Sequence, residues 1–458
     1  MTRSVDSANS FSRRQWLRGG GAAAASLLVP QVLQAREASQ RSGNAKSSPA
    51  KSAIVIYLQG GLSHYESFDP KPLAPTAYRG EFQPIATSVP GTHIAEHLPL
   101  LASRAHQFNI LRSVYVDSPS HPVAIHMTLT GWDYTGADVA GKNRNLTHPS
   151  IGSWVARLRP DNRSDLPPYV AIPHDAQLGI RVRYATAGLL GAAYEPVFSG
   201  MAPERADRRY EPPRDLRLHA ALNAERVQQR LSLLDALERP LGWSRPLASS
   251  DTYHRQAYEM LAGGAAGAAF DLDRESAALR HQYGDHLWGQ QTILARRLSE
   301  SGVPFTLVNY TLNQVHGQDW DTHVDNFGEM RNKLLPPMDR AVSTLLDDLE
   351  ARGLLDTTLV AMFGEFGRTP QINSQGGRDH WNKVCSVMLA GGGLKKGVTL
   401  GSSTQAGDLP LDRPIHFNDV LATIYHQLGV STTEVFHDQL NRPFPVLDHG
   451  QPIRELLA

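Results

Sequence analysis

One cysteine, Cys385, stands in 458 residues, so no intramolecular disulfide can brace this chain and the cystine-stapled scaffolds are excluded. It lies in KVCSVMLAGGG, an alternating apolar stretch that reads as a buried strand carrying a packed thiol, not a nucleophile. An excess of either charge is also lacking. Lys+Arg and Asp+Glu both number 45, so nothing points to a polyanion, and nucleic acid is not expected as a partner. The sequence holds no dinucleotide Gly fingerprint, no His-Glu-x-x-His and no internal repeat. Its N-terminal apolar run, about 15 residues rich in Gly and Ala, falls short of the ~20 that span a bilayer.

What the N-terminus does have is an order of regions. SFSRRQWLRGGGAAAASLLVPQVLQA starts basic and polar, with Arg13 and Arg14 after Ser12 and before Trp16-Leu17, then turns small and apolar. It resembles a twin-arginine export signal over residues 1–35. That implies delivery by the twin-arginine translocation machinery to the periplasm or the cell exterior, with the segment either cleaved near Ala35 or kept as a membrane attachment. Residues 36–51 are small and polar and read as a disordered linker. The domain is expected over 52–458.

Within it, continuous apolar runs bounded by Gly or Pro recur at 52–61, 108–116, 167–173, 304–310, 357–366 and 384–392, as parallel strands buried on both faces require. Helical patterns at 332–355 and 417–429 alternate with them. The expected fold is therefore α/β, a three-layer α/β/α arrangement around a mainly parallel sheet. The stretch 210–300, rich in Leu, Ala, Arg, Glu and Gln, reads as a helical insertion.

Ligands of such sheets bind beyond the carboxyl ends of the strands, and polar groups collect there. The first strand is followed by Gln59, Ser63, His64, Glu66 and Asp69, the second by Asp117, Ser118, Ser120, His121 and His126. Further on come His316, Asp319, Asp321 and His323, then Glu365 and Arg368, then Arg378, Asp379 and His380. Imidazoles mixed with carboxylates suit a divalent metal such as zinc, manganese or calcium. The candidate ligands are His64, Asp321, His323, Glu365, Asp379 and His380. His64 reads equally well as a helix cap and Asp69 as a turn residue, whereas Asp321 and His323, two apart on an extended segment, project to one side. Arg368 and Arg378 could hold anionic substrate oxygens bidentately or pair with nearby carboxylates.

LQGGLSHYESFDPKP, YRGEFQPIATSVPGTHIAEHLPLLA, WDTH, FGEFGRTPQIN, GGRDHWN, LAGGGLKKG and DVLATIYHQLG, in that order, resemble the successive motifs of the DUF1501 family of exported bacterial proteins. That family is similar to the alkaline phosphatase and sulfatase superfamily. The resemblance implies an alkaline-phosphatase-like fold and a metal-dependent hydrolase of phosphate or sulfate esters, small-molecule or polysaccharide. It puts Glu365 and Phe366 where the superfamily carries a metal-binding Asp-His pair, and Gln59 where its first strand ends in a metal-binding Asp. SPSHPVAIHMTLTG resembles the superfamily's nucleophile segment. Counting back from Gly131 puts the catalytic position on His121, while matching Pro-Ser puts it on Ser118, with Ser120 a further hydroxyl in reach. The losses at Gln59 and Phe366 equally suit an inactive binding or surface-processing module that keeps the fold.

Overall fold

The computed structural model describes residues 49–133, 148–159, 165–173, 185–199, 264–310, 319–437 and 441–458, with isolated positions at 163 and between 213 and 261. The twin-arginine segment, the linker as far as residue 48, His316 and most of 200–263 lie outside the described residues.

The central sheet has nine strands, here numbered along the chain: β1 Ser52–Tyr57, β2 Phe108–Tyr115, β3 Tyr169–Ile172, β4 Val197–Phe198, β5 Phe305–Asn309, β6 Thr358–Phe363, β7 Cys385–Gly391, β8 Thr399–Leu400 and β9 Ile415–His416. Their order across the sheet is β8-β2-β7-β6-β1-β5-β3-β4, with β9 also pairing to β2. Every pairing is parallel except those of β7, which runs antiparallel to both β6 and β2. In register, Ala53 of β1 stands opposite Phe305 on one side and Leu359 on the other.

Two apolar layers cover the sheet, and side-chain alternation along each strand feeds both. Ile54 and Ile56 enter one, with Leu294 and Leu298 of α3 (Leu287–Ser301) and Leu345 and Leu349 of α4 (Leu335–Ala351). Ala53, Val55 and Tyr57 enter the other, with Ile125 of α1 (His121–Thr130), Trp154 of α2 (Ile151–Leu158) and Leu421 of α5 (Phe417–Gln427). Together these make the three-layer architecture. The helix α3, within the stretch read from sequence as a helical insertion, lies in one outer layer and runs directly into β5. The linker also ends earlier than its composition suggests: Ala50 is buried and its N–H donates to Gln427 O at 3.1 Å, so residues 49–51 belong to the packed body. Ahead of α4 the helix passes through a π-turn at Met330–Leu334. Pro336 and Pro337 follow it, and neither nitrogen can donate back to the preceding turn.

What matters for the site is how the segment after β5 is held over the end of β1. Trp320, fully buried, lies near-parallel to Trp288 of α3 with ring centroids 5.5 Å apart, and Trp288 stacks on Tyr310 at 4.7 Å. The Trp320 indole donates to Tyr310 O at 3.2 Å and its backbone N–H to Gln59 O at 3.3 Å. The approach is so close that a Cβ on Gly60 (φ +116°) would stand 2.4 Å from the Asp321 nitrogen. Trp320 thus presents Asp321 at the strand ends. Replacing Trp320 by Ala should cost about 3–5 kcal/mol, as for other large aromatic core truncations. Denaturant unfolding checks this, and a loss below about 1 kcal/mol would contradict the anchoring role.

Candidate metal centre

The carboxyl ends of β1, β5 and β6 lie side by side, and the loops leaving them converge on one carboxylate. Asp321 Oδ2 lies 3.2 Å from His121 Nε2, and Asp321 Oδ1 lies 3.1 Å from His380 Nε2 and 3.0 Å from His323 Nε2. The Nε2 atoms of His323 and His380 are 2.9 Å apart. His121, Asp321 and His380 form a group with ligand atoms all within 4.8 Å of one another. His323 closes the solvent side, with its side chain 38% exposed against 10% for His121.

Behind each imidazole stands an oxygen. His121 Nδ1 is 2.6 Å from Glu365 Oε1, His323 Nδ1 is 2.7 Å from Asp379 Oδ1, and His380 Nδ1 is 2.8 Å from Pro119 O. A carboxylate or a carbonyl can only accept, so each ring keeps a proton on Nδ1 and turns Nε2 inward, where the neutral form presents a lone pair. Such outer partners fix metal-binding histidines in other proteins. Lone pairs and a carboxylate facing one another at these distances repel unless a cation or protons lie among them. Four donors bound tetrahedrally at zinc distances stand roughly 3.3 Å apart, close to the separations here, so the residues fit a small divalent ion.

Without an ion, a proton on His121 Nε2 takes that place and is donated to Asp321. Burial opposes a charge on His121, but its bonds to Asp321 and Glu365 outweigh that and push it up to about 9. Burial likewise opposes ionisation of Asp321, yet His121, His380 and the Arg368 guanidinium hold its pKa far below the usual carboxylate range.

Several sequence expectations are corrected by this geometry. Glu365 and Asp379 stand one layer out, accepting from His121 and His323. Glu365 is fully buried and also accepts from Gly60 N at 2.9 Å. His64 is elsewhere: its Nε2 donates to Gly407 O at 2.9 Å, and burial lowers its pKa to about 4. Arg368 and Arg378 are fully buried and committed to protein groups, so neither is free to grip substrate. Arg368 binds the carbonyls of Gly60, Gly61, Trp320 and Arg378 and, at 2.6 Å, Asp321 Oδ1. Arg378 grips Glu66 bidentately at 3.0 and 2.7 Å and stacks over Tyr65. His121, expected as a nucleophile position, joins the cluster. Ser118 and Ser120 flank Pro119, whose carbonyl orients His380. Gln59 accepts from Asn309 Nδ2 at 2.9 Å, and the Phe366 ring packs against His121 and His380 at 4.9 and 4.7 Å. Gly364 and Gly367 are required by space, not by unusual φ: a Cβ on Gly367 would stand 2.0 Å from Val384 O. No sequence spacing signals that His121 joins this cluster, since its partners are 200 and more positions away along the chain.

Residues 50–457 match the model of the family described as protein of unknown function (DUF1501), and the chain belongs to that family. No curated protein sequence matches it. Among solved structures it is similar to a protein in the alkaline phosphatase superfamily from Vibrio parahaemolyticus, at 10% identity and a TM-score of 0.40, covering 90% of this chain and 72% of that one. It is similar also to the PsFucS1 sulfatase from Pseudoalteromonas sp., at 12% and 0.34, over 86% and 70%. A third is the phosphonate monoester hydrolase SpPMH from Silicibacter pomeroyi, at 12% and 0.32, over 89% and 76%. Likenesses this distant say nothing of activity.

Two outcomes follow from the geometry. Arg378→Ala leaves Glu66 buried and unpaired and should destabilise by roughly 3–5 kcal/mol, whereas an arginine serving substrate would leave stability untouched when removed. Because the folded protein raises the His121 pKa from 6.5 to about 9, the stability it contributes is full below pH 6.5 and lost as pH rises to 9. The Tm of chelator-treated protein should fall across that window, and His121→Gln should flatten the fall.

Proposed function

We propose that this DUF1501 member is a metal-dependent hydrolase of phosphate or sulfate esters, exported by the twin-arginine route and acting outside the cytoplasm. The observation that carries the reading is the turning of three Nε2 atoms onto Asp321 by oxygens behind each ring. His121, Asp321 and His380 would hold the ion, with His323 at the solvent side. Three imidazoles and one carboxylate favour zinc or manganese over calcium, which prefers an all-oxygen shell. An ion so held supplies Lewis-acid polarisation of the ester oxygen and offsets charge developing there.

The protein's own part is positional. Asp321 stays ionised at any ordinary pH, and Arg368 holds its Oδ1, the oxygen that His380 and His323 also approach. Of the two serines beside Pro119, Ser118 already accepts from Ser120 N at 3.2 Å, while Ser120 begins α1 without using its hydroxyl as a cap. That favours Ser120 as the attacking hydroxyl. The ester class comes from the resemblance of the motifs to the phosphatase and sulfatase superfamily.

A second reading, a binding or surface-processing module without turnover, is favoured by one observation: both candidate arginines are spent on protein groups. Elemental analysis of protein purified without chelator separates the two, together with assays on p-nitrophenyl phosphate and sulfate. The expected result is near-stoichiometric zinc or manganese and hydrolysis that falls about a thousandfold in Asp321→Ala. Metal without hydrolysis supports the binding module, and folded protein that takes up neither ion sinks both the centre and the hydrolase.

A further inference from the structure

A second chain of polar groups lies one step outside the centre. His416, the last residue of β9, stands opposite Tyr115 of β2 in parallel register. Its Nε2 reaches two residues further, to Asp117 Oδ2 at 2.9 Å. Its Nδ1 accepts from Asn418 N at 3.2 Å, capping α5, and lies 3.0 Å from His449 Nε2. Because Nδ1 is thereby an acceptor, the His416 proton sits on Nε2 and is donated to Asp117. His449 Nδ1 in turn lies 3.2 Å from Asp448 Oδ2 and 3.3 Å from the Asn418 amide. The order Asp117, His416, His449, Asp448 joins the start of the β2–α1 turn to the segment near the C-terminus.

The turn so held is the one the centre leans on. Asp117 is followed by Ser118, by Pro119 whose carbonyl accepts from His380 Nδ1, by Ser120 and then by His121 itself. On its inner side the turn is clamped by Asn382, through Val116 N to Asn382 O at 3.0 Å and Asn382 Nδ2 to Val116 O at 2.8 Å. On its outer side His416 supplies the hold on the Asp117 side chain. A turn fixed from both sides presents Pro119 O and His121 in one orientation, and a turn fixed from one side does not.

We propose that His416, backed by His449 and Asp448, is a positioning residue for the metal centre, acting through Asp117 on the Pro119–His380 contact and on His121. The proposal rests on the metal-centre reading above. It does not require His416 or His449 to change protonation.

The test is cobalt(II) titration of the full-length protein, read by affinity and by the visible ligand-field bands, which report coordination geometry without any turnover. His416→Asn keeps a competent cap for α5 but is too short to reach Asp117; Asp117→Ala removes a half-exposed carboxylate with little risk to the fold. Each should bind cobalt about tenfold more weakly, the lower end for outer partners of metal ligands, with altered bands and an unchanged Tm. The double variant should be no weaker than either single one, since both break the same link. Wild-type affinity and bands in both variants would overturn the positioning role while leaving the centre standing. Additive losses in the double variant would overturn it as well. A wild type that binds no cobalt would overturn the centre and the proposal together.

Discussion

The structure around the site hangs on one buried cation. Arg368 is fully buried, and its guanidinium binds carbonyls of Gly60 and Gly61 beyond β1, of Trp320 beyond β5 and of Arg378 on the returning loop, while pairing with Asp321. An unpaired buried charge costs several kcal/mol, so these segments must stay gathered around it. A lysine would deliver one point charge where three directed nitrogens make five contacts. The price of this knot is that the arginine is unavailable to any ligand.

From that knot the geometry of the centre follows. Asp321 is pinned by Arg368 on one oxygen and by the Trp320 stack through the backbone. Around it stand rings whose orientation is decided one layer further out, by Glu365, Asp379 and the Pro119 carbonyl. Two of those oxygens belong to carboxylates, which make the imidazoles better donors to a cation. The position occupied by Phe366 is consistent with this division of labour. A phenyl ring there cannot ligate, but it packs on the faces of His121 and His380 and keeps them upright.

Much of the fold was legible because its causes are local. Uninterrupted apolar runs at 52–61 and 357–366 can only be strands covered on both faces, and their alternation with helical patterns leaves few arrangements besides a layered parallel sheet. Asp321, His323 and His380 were legible as site candidates because polar side chains just beyond buried strands seldom lack a purpose. Their arrangement around Asp321 was not. Glu365, expected as a ligand, stands behind the His121 ring because a carboxylate on the turn after β6 meets the back of the ring from α1, a fact of packing between segments 244 positions apart.

The amino-acid sequence by itself determined the layered α/β class, the family, the strand ends at which chemistry gathers and the absence of disulfide bracing, since each depends on residue type and short-range order. Tertiary structure alone decided which nitrogen of each histidine faces the centre and that Arg368 and Arg378 are struts, not substrate grips. It also decided that His64 is a buried strut and that Asp117 is held by His416. Those outcomes turn on which acceptor lies within about 3 Å of a given donor, and that distance is set by how the strand-end loops pack against one another, not by any pattern along the chain.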